Sequence, residues 1–428
     1  MLFSLGHLST FTQRIQYLSF LAGVFVLLSS CQNEQKAAIQ FIPTKCVSGG
    51  EPNLHITDSG EAILTWVEYT NDTTDALVFS KLIDGTWTDP QLIAYGADWF
   101  VNWADFPSLA TYKGQDDLLL AHWLQKSDNG TYDYDVRLSQ SLDRGQNWQP
   151  SFVLNQDGIA AEHGFVSFVP FTRNTIFAAW LDGRYTKTEN GSDGHEHGHG
   201  GAMTLRGAFV HPDNSVTEDI ELDNKVCDCC QTSAALTENG MIVAYRDRLE
   251  GEIRDISIVR QIGQDWTQPR RVYEDNWEIA GCPVNGPKII ADGKRVALAW
   301  FTMAQDTARV KIAFSKNAGA TFSEPIRIDE GNPLGRVDIT FVGEDVLVSW
   351  LEQKDKHAEI RLIQLNAGGI VAPSRLLTKT SAARSSGFPI MESYKDKLLF
   401  AWTEITDIEE ETTVVRSAII EKTFLSAY

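Results

Sequence analysis

The chain has 428 residues, with 37 Lys and Arg against 57 Asp and Glu, which leaves a formal net charge of −20. Nucleic acid and anionic lipid are both recognised by clustered positive charge, so this balance argues against either as a partner held by electrostatics. Length alone predicts about three domains at roughly 150 residues each, an expectation that the repeat described below replaces.

In chain order, the first thirty residues differ in kind from the rest. Residues 1–16 carry one arginine, Arg14, and no acid; residues 17–28 are almost entirely apolar; Leu28-Ser29-Ser30-Cys31 follows. A positive start, an apolar run too short to span a bilayer as a helix, and small residues before a cut predict a secretory signal. Leu28-Ser29-Ser30-Cys31 also resembles the bacterial lipobox. That resemblance implies that Cys31 becomes the lipidated first residue of the mature protein, tied to a membrane by acyl chains. Gln32 after it, in place of an aspartate, implies the outer membrane. The alternative is an ordinary signal with an incidental cysteine. The expected division is a signal over 1–30, a lipidated tether over 31–36 and a single domain over 37–428.

Within that domain an apolar strand ends in an aromatic residue seven times, nearly always after a small residue. The sites are Thr65-Trp66, His122-Trp123, Ala179-Trp180, Ala244-Tyr245, Ala299-Trp300, Ser349-Trp350 and Ala401-Trp402, with intervals of 57, 57, 65, 55, 50 and 52 residues. A period of this size marks a unit that cannot bury its own apolar faces and must stack on its neighbours. The first unit shows four strand-like segments, 52–56, 62–69, 76–82 and 90–95, parted by turns such as Asp58-Ser59-Gly60 and Asp84-Gly85. Helical periodicity is nearly absent. The expected fold is therefore all-β: a β-propeller of four-stranded antiparallel blades. The last unit, 388–424, has three obvious strands, and residues 37–43 supply a fourth that closes the ring; this favours seven blades over six.

Two strand 3 to strand 4 hairpins share a signature, Ser141-Leu142-Asp143-Arg144-Gly145-Gln146-Asn147-Trp148 and Ser315-Lys316-Asn317-Ala318-Gly319-Ala320-Thr321-Phe322. Degenerate copies end in Asp84-Gly85-Thr86-Trp87 and Gln264-Asp265-Trp266. A short acidic or amide side chain accepts turn N–H groups, glycine takes the positive φ, and the aromatic wedges against the blade. These hairpins resemble the Asp-box, or BNR repeat, of the sialidase superfamily. The resemblance covers residues 37–424 and implies that ligands bind on the opposite face, where the strand 2 to 3 and strand 4 to 1 loops emerge.

The unusual residues of the chain fall on that loop face. Cys46, the cluster Cys227-Asp228-Cys229-Cys230, and Cys282 each precede an inner strand, and the long loop of blade three carries His195, His197 and His199. Disulfide stapling, a soft-metal site for copper or zinc, and a redox-active thiol pair are all open readings. The histidine run alone more often marks a solvated loop.

Acids stand two residues beyond the repeat aromatic at Glu68, Asp182, Asp247, Glu352 and Glu404, with Gln125 and Thr302 at the other two positions. Arg184, Arg246, Arg248, Arg336 and Arg384 stand close by. Such a mouth suits a carboxylated sugar; solvated strand ends and ion pairs between blades explain it equally. The resemblance to sialidases implies an arginine triad, a tyrosine nucleophile and an aspartate acid/base. The Phe-Arg-Ile-Pro element is missing, because blade one starts Gly50-Glu51-Pro52-Asn53-Leu54. On that resemblance the candidates are Arg248, Arg336 and Arg384 for a substitute triad, Tyr245 for the nucleophile and Asp105 for the acid, and no motif fixes any of them. Trp99, Trp103 and Trp277 are available to rim a binding mouth.

The combined expectation is a monomeric, lipid-anchored cell-envelope propeller that binds a glycan or another envelope partner on its loop face. A sialidase-type glycoside hydrolase and a copper, zinc or thiol-redox protein are the alternatives.

Overall fold

The computed structural model describes residues 39–71, 73–187, 201–407, 409 and 412–422. The lipobox with Cys31, and His195, His197 and His199, lie outside the described residues. Seven antiparallel sheets form a seven-bladed propeller, each blade built from an inner, second, third and outer strand. In blade one these are Gly49–Ile56, Ala62–Asn71, Thr74–Ile83 and Gln91–Gly96. Blade seven takes Ile390–Tyr394, Lys397–Asp407 and Thr412–Glu421 from the end of the chain. Its outer strand is Gln40–Ile42, paired with Thr412–Glu421 so that Gln40 faces Ile419. The ring is closed by the N-terminal strand, as the sequence predicts.

The repeat aromatics are buried at Trp66, Trp123, Trp180, Tyr245, Trp300, Trp350 and Trp402, and so are the residues just before them. The acids two residues on find a structural explanation here. Side chains i and i+2 of a strand share one face, so the indole N–H of the aromatic reaches the carboxylate beside it. Trp66 donates to Glu68 at 2.5 Å, Trp180 to Asp182 at 2.9 Å and Trp350 to Glu352 at 2.7 Å. Where the i+2 residue is Thr302, Trp300 donates instead to Asp275, at 2.7 Å. Tyr245 donates to Asp223, at 2.6 Å.

The two complete boxes are nearly superimposable in their bonds. Ser141 Oγ accepts from Gly145 N at 2.8 Å and Asp143 Oδ1 accepts from Asn147 N at 2.9 Å. Ser315 Oγ accepts from Gly319 N at 3.0 Å and Asn317 Oδ1 accepts from Thr321 N at 2.9 Å. Gly145 has φ 89° and Gly319 φ 76°. A Cβ there would meet Phe79 at 2.4 Å and Ile242 at 2.3 Å, both on the preceding blade. Glycine thus serves the turn and lets the hairpin press on its neighbour. The degenerate boxes do the same through their aromatics: Trp87 donates to Ser417 of blade seven at 2.8 Å, and Trp266 stacks on Phe177 of blade three at 5.4 Å.

Inner strands leave one backbone edge facing the channel, and unpaired buried N–H groups are costly. The next blade's N–H is met by a side chain of the blade before it. His55 Nε2 accepts from Thr111 N at 3.2 Å, Asp105 from Phe165 N at 2.7 Å and Ser233 from Ile289 N at 3.0 Å. Asn285 accepts from Arg336 N at 2.7 Å, Asp338 from Met391 N at 2.6 Å and Thr403 from Glu51 N at 3.2 Å. At the seam of blades three and four, Thr232 Oγ1 donates to Phe165 O at 2.7 Å.

The clamp generates a testable contrast. Glu352 is fully buried and accepts from Trp350, Asn332 N and Glu330 N, whereas Glu404 pairs with Arg416 in a half-exposed position. Glu352→Ala strands the buried indole N–H of Trp350 and frees the more exposed Asn332 and Glu330 N–H groups, and is expected to cost about 2 kcal/mol in urea denaturation. Glu404→Ala is expected to cost about 0.5 kcal/mol or less.

Candidate functional site

Three loops of one face converge at blade four. They are the crossing from blade three, which carries Cys227, Cys229 and Cys230; the hairpin between second strand Gly240–Arg246 and third strand Ile256–Ile262; and the crossing to blade five, which carries Cys282. The first is pinned by Val226 N donating to Met203 O at 2.9 Å and Cys227 N to Arg246 O at 3.0 Å. Cys227 and Cys230 are buried, Cys229 is half-buried and Cys282 is exposed.

The sulfurs of Cys227, Cys229 and Cys230 all lie within 4.8 Å of one another, and those of Cys227 and Cys230 are 3.6 Å apart. Cys282 joins the group through Cys229. Two N–H groups point at the cluster: Arg254 Nη1 donates to Cys227 Sγ at 3.1 Å and Asn285 N to Cys230 Sγ at 3.4 Å. Burial of Cys227 opposes its ionisation, but the Cys229 and Cys230 thiols and the Arg254 guanidinium outweigh it and hold Cys227 well below the usual thiol range. Cys229 is pushed the other way by its hydrogen bonds to the surrounding sulfurs, and Cys230 chiefly by burial. The arrangement can stabilise thiolate, hold a soft cation or join sulfurs in pairs.

Cys46 stands apart, at the seam of blades seven and one. It packs beside Gly49, bonds the Val415 backbone, and burial pushes its thiol up to about 12. Of the five cysteines read together from sequence, four gather and one does not.

The remaining predicted residues are engaged separately. Tyr245 is buried against Asp223. Arg248 pairs with Glu252 and Asp228. Arg336 is buried, donates to Ser386 Oγ at 2.7 Å and Gly387 O at 2.9 Å, and lies over Trp103 at 5.1 Å. Arg384 is exposed near Arg336, where its charge, after burial, helps lower Arg336 to about 10. Arg184 is spent on Asp182, Asp157 and Asp219, and Arg246 on the carbonyls of Asn285, Arg254 and Phe301. The tryptophans are packing residues: Trp99 stacks on Trp123, Trp103 on Phe388, and Trp277 is buried under Arg246.

Sequence reasoning passes over Arg254 and Asn285, the two donors to sulfur. Topology offers the only signal for them, because both lie in loops that must emerge beside the cysteine turn. It also passes over Glu162, which accepts from Tyr134 Oη at 3.0 Å and lies near Asp228 and Cys282.

The channel holds a cavity of about 560 Å³ lined by Asp105, Ser108, Ser167, Lys288, Asp338 and Glu392 among others. Burial raises the carboxyls of Asp105 and Glu392 to about 8, Asp338 adding to the effect at Glu392. A carboxyl raised in the folded state gives stability that is fully present below its unfolded pKa of about 4 and lost as pH rises through about 8. His55 and His122, lowered by burial to about 4 and about 3, act only below about pH 6.5. The carboxyls' contribution to stability is therefore expected to fall between pH 6.5 and about 8, and Glu392→Gln to make that part of the profile shallower in urea denaturation followed by tryptophan fluorescence. An equal slope in the variant would remove Glu392 from the effect.

No family model and no curated protein matches the chain. Among solved structures, a protein of unknown function from Dyadobacter fermentans matches at 16% identity over 90% of this chain and 97% of its own, with a TM-score of 0.50. The α-L-arabinofuranosidase Arb93A from Fusarium graminearum matches at 12% identity over 91% and 98%, TM-score 0.48, and the phage phi92 endosialidase at 10% over 90% and 69%, TM-score 0.49. At 16% identity the likeness to the Dyadobacter protein is one of fold alone, and the seven blades rest on the sheet order of this chain itself.

Proposed function

We propose that this chain is a lipid-anchored cell-envelope propeller whose loop face carries a thiolate centre for a soft metal ion, copper or zinc. The observation that supports it is the sulfur geometry. An ion with bonds of about 2.3 Å to tetrahedrally placed sulfurs spans a sulfur–sulfur edge of about 3.8 Å. Cys227 and Cys230 stand 3.6 Å apart with Cys229 within 4.8 Å of both. N–H groups aimed at the sulfurs of Cys227 and Cys230 resemble the outer partners that orient metal ligands. Arg246 and Arg254, close to Cys230 and Cys227, offset the negative charge that several thiolates would gather round one ion.

The anchor rests on Leu28-Ser29-Ser30-Cys31. A glycan or another envelope ligand keeps a candidate place in the polar channel, whose size falls in the range of small-molecule sites.

The test is elemental analysis and thiol counting on the full chain, expressed with its own leader and extracted from membranes under nitrogen. About one copper or zinc per chain, absent from the Cys227→Ser and Cys230→Ser variants, is the expected result. No metal, with Cys46 as the single titratable thiol, would mean two disulfides in the cluster and would overturn the metal reading.

A further inference from the structure

The four clustered sulfurs are not equivalent. Two are buried, one is half-buried, and Cys282 is exposed; a closed structural zinc site encloses all its ligands. The chain around Cys282 takes its backbone–backbone and cluster hydrogen bonds at its ends, while between them Pro283 O accepts from Asn285 Nδ2 at 3.3 Å and Val284 packs against the core. Ile279 N donates to Glu252 O at 3.0 Å, and Asn285 N to Cys230 Sγ at 3.4 Å, while Asn285 O accepts from Arg246 Nη2 at 2.7 Å. Among the described residues, 280–284 form no backbone–backbone hydrogen bond, and a Cβ on Gly281 would meet only Ile279, at 4.0 Å. Cys282 thus sits, among the described residues, on a span without backbone–backbone hydrogen bonds between two anchors, one of which is itself a donor to the buried sulfur of Cys230. Its sulfur reaches the group through Cys229, the half-buried member, so accessibility declines stepwise from Cys282 to Cys229 to the buried pair.

Resting on the metal reading of this same site, we propose that Cys282 is the exchange ligand of a copper(I) centre. It takes Cu(I) from a carrier and passes it to Cys229, Cys227 and Cys230, and reverses the path on release. Copper(I) fits because two or three thiolates saturate it, whereas zinc requires a fourth ligand that here lies exposed. Each step is ligand substitution without redox change. A Cu–S bond to Cys282 forms as the bond to the carrier breaks, and the Cys282 proton passes to water. When Cys229 displaces Cys282, a Cu–S bond to Cys229 forms as the bond to Cys282 breaks, and the Cys229 proton passes to the Cys282 sulfur. The ion remains Cu(I) throughout.

The experiment uses the full-length reduced protein, free of oxygen, with the chromophoric copper(I) complex of bicinchoninate as donor and the free chelator as acceptor. The Cys282→Ser variant is expected to bind the same one copper with affinity unchanged within about twofold, and to load and unload about tenfold more slowly. Cys227→Ser is expected to lose copper altogether. Affinity lost in Cys282→Ser as in Cys227→Ser would make Cys282 a permanent ligand, and unchanged rates would remove it from the path; either overturns the proposal and leaves the metal centre standing. Zinc retained in preference to copper(I) overturns the choice of ion. A wild-type protein that takes up no metal overturns the centre itself.

Discussion

Seven sheets can stand in a ring only if the backbone edges that face the channel are satisfied, and here each blade does this for the next. His55, Asp105, Ser233, Asn285, Asp338 and Thr403 accept N–H groups across six seams, and Thr232 donates across the seventh. The need explains why so many ionisable groups are buried in this chain. Neutral His55 is an acceptor, which is the state that burial enforces. Asp105 spends one carboxyl oxygen on Phe165 N, and the other has no hydrogen-bond partner among the described residues. Much of what looks like chemistry in the channel is therefore the hydrogen bonding of the ring itself.

The same economy governs the mouth of the propeller. A carboxylate two residues beyond an indole shares its face of the strand, so three of the five acids that resemble a sugar-binding rim are clamps on Trp66, Trp180 and Trp350. Of the arginines that would grip a substrate carboxylate, Arg184, Arg246, Arg248 and Arg336 are satisfied by neighbouring carboxylates, carbonyls and the Ser386 hydroxyl, while Arg384 is exposed. Buried guanidinium groups need several acceptors at once, and Arg246 and Arg336 find them in the loops they hold in place. The cysteine cluster differs from these groups in kind: its sulfurs face one another, and the surrounding donors point towards them.

How far the sequence could be read follows the range of the interactions. The strand period, the small-aromatic pairs, the Asp-boxes and the closing strand at residues 40–42 are legible because each is fixed by neighbours in sequence or by alternation along one strand. The convergence of Cys227, Cys229 and Cys230 with Cys282 is half legible. Topology places both loops on one face, but 52 residues separate Cys282 from Cys230, and no local pattern measures the gap between sulfurs. Arg254 has no sequence signal beyond its place in the hairpin of blade four, and Trp103 reads as part of a binding rim until Phe388 is seen stacked on it and Arg336 packed against both rings.

By itself, then, the sequence determined a closed ring of four-stranded blades and favoured seven of them over six, since period, turn chemistry and apolar alternation act locally and repeat. Tertiary structure decided which polar groups are left for function. A carboxylate beside a tryptophan and a carboxylate beside an open mouth have the same spelling, and only their burial and partners distinguish them. Cys46 shows the point most directly: it matches the other cysteines in type and in its position before an inner strand, yet it packs at the seam of blades seven and one, apart from the sulfurs gathered at blade four.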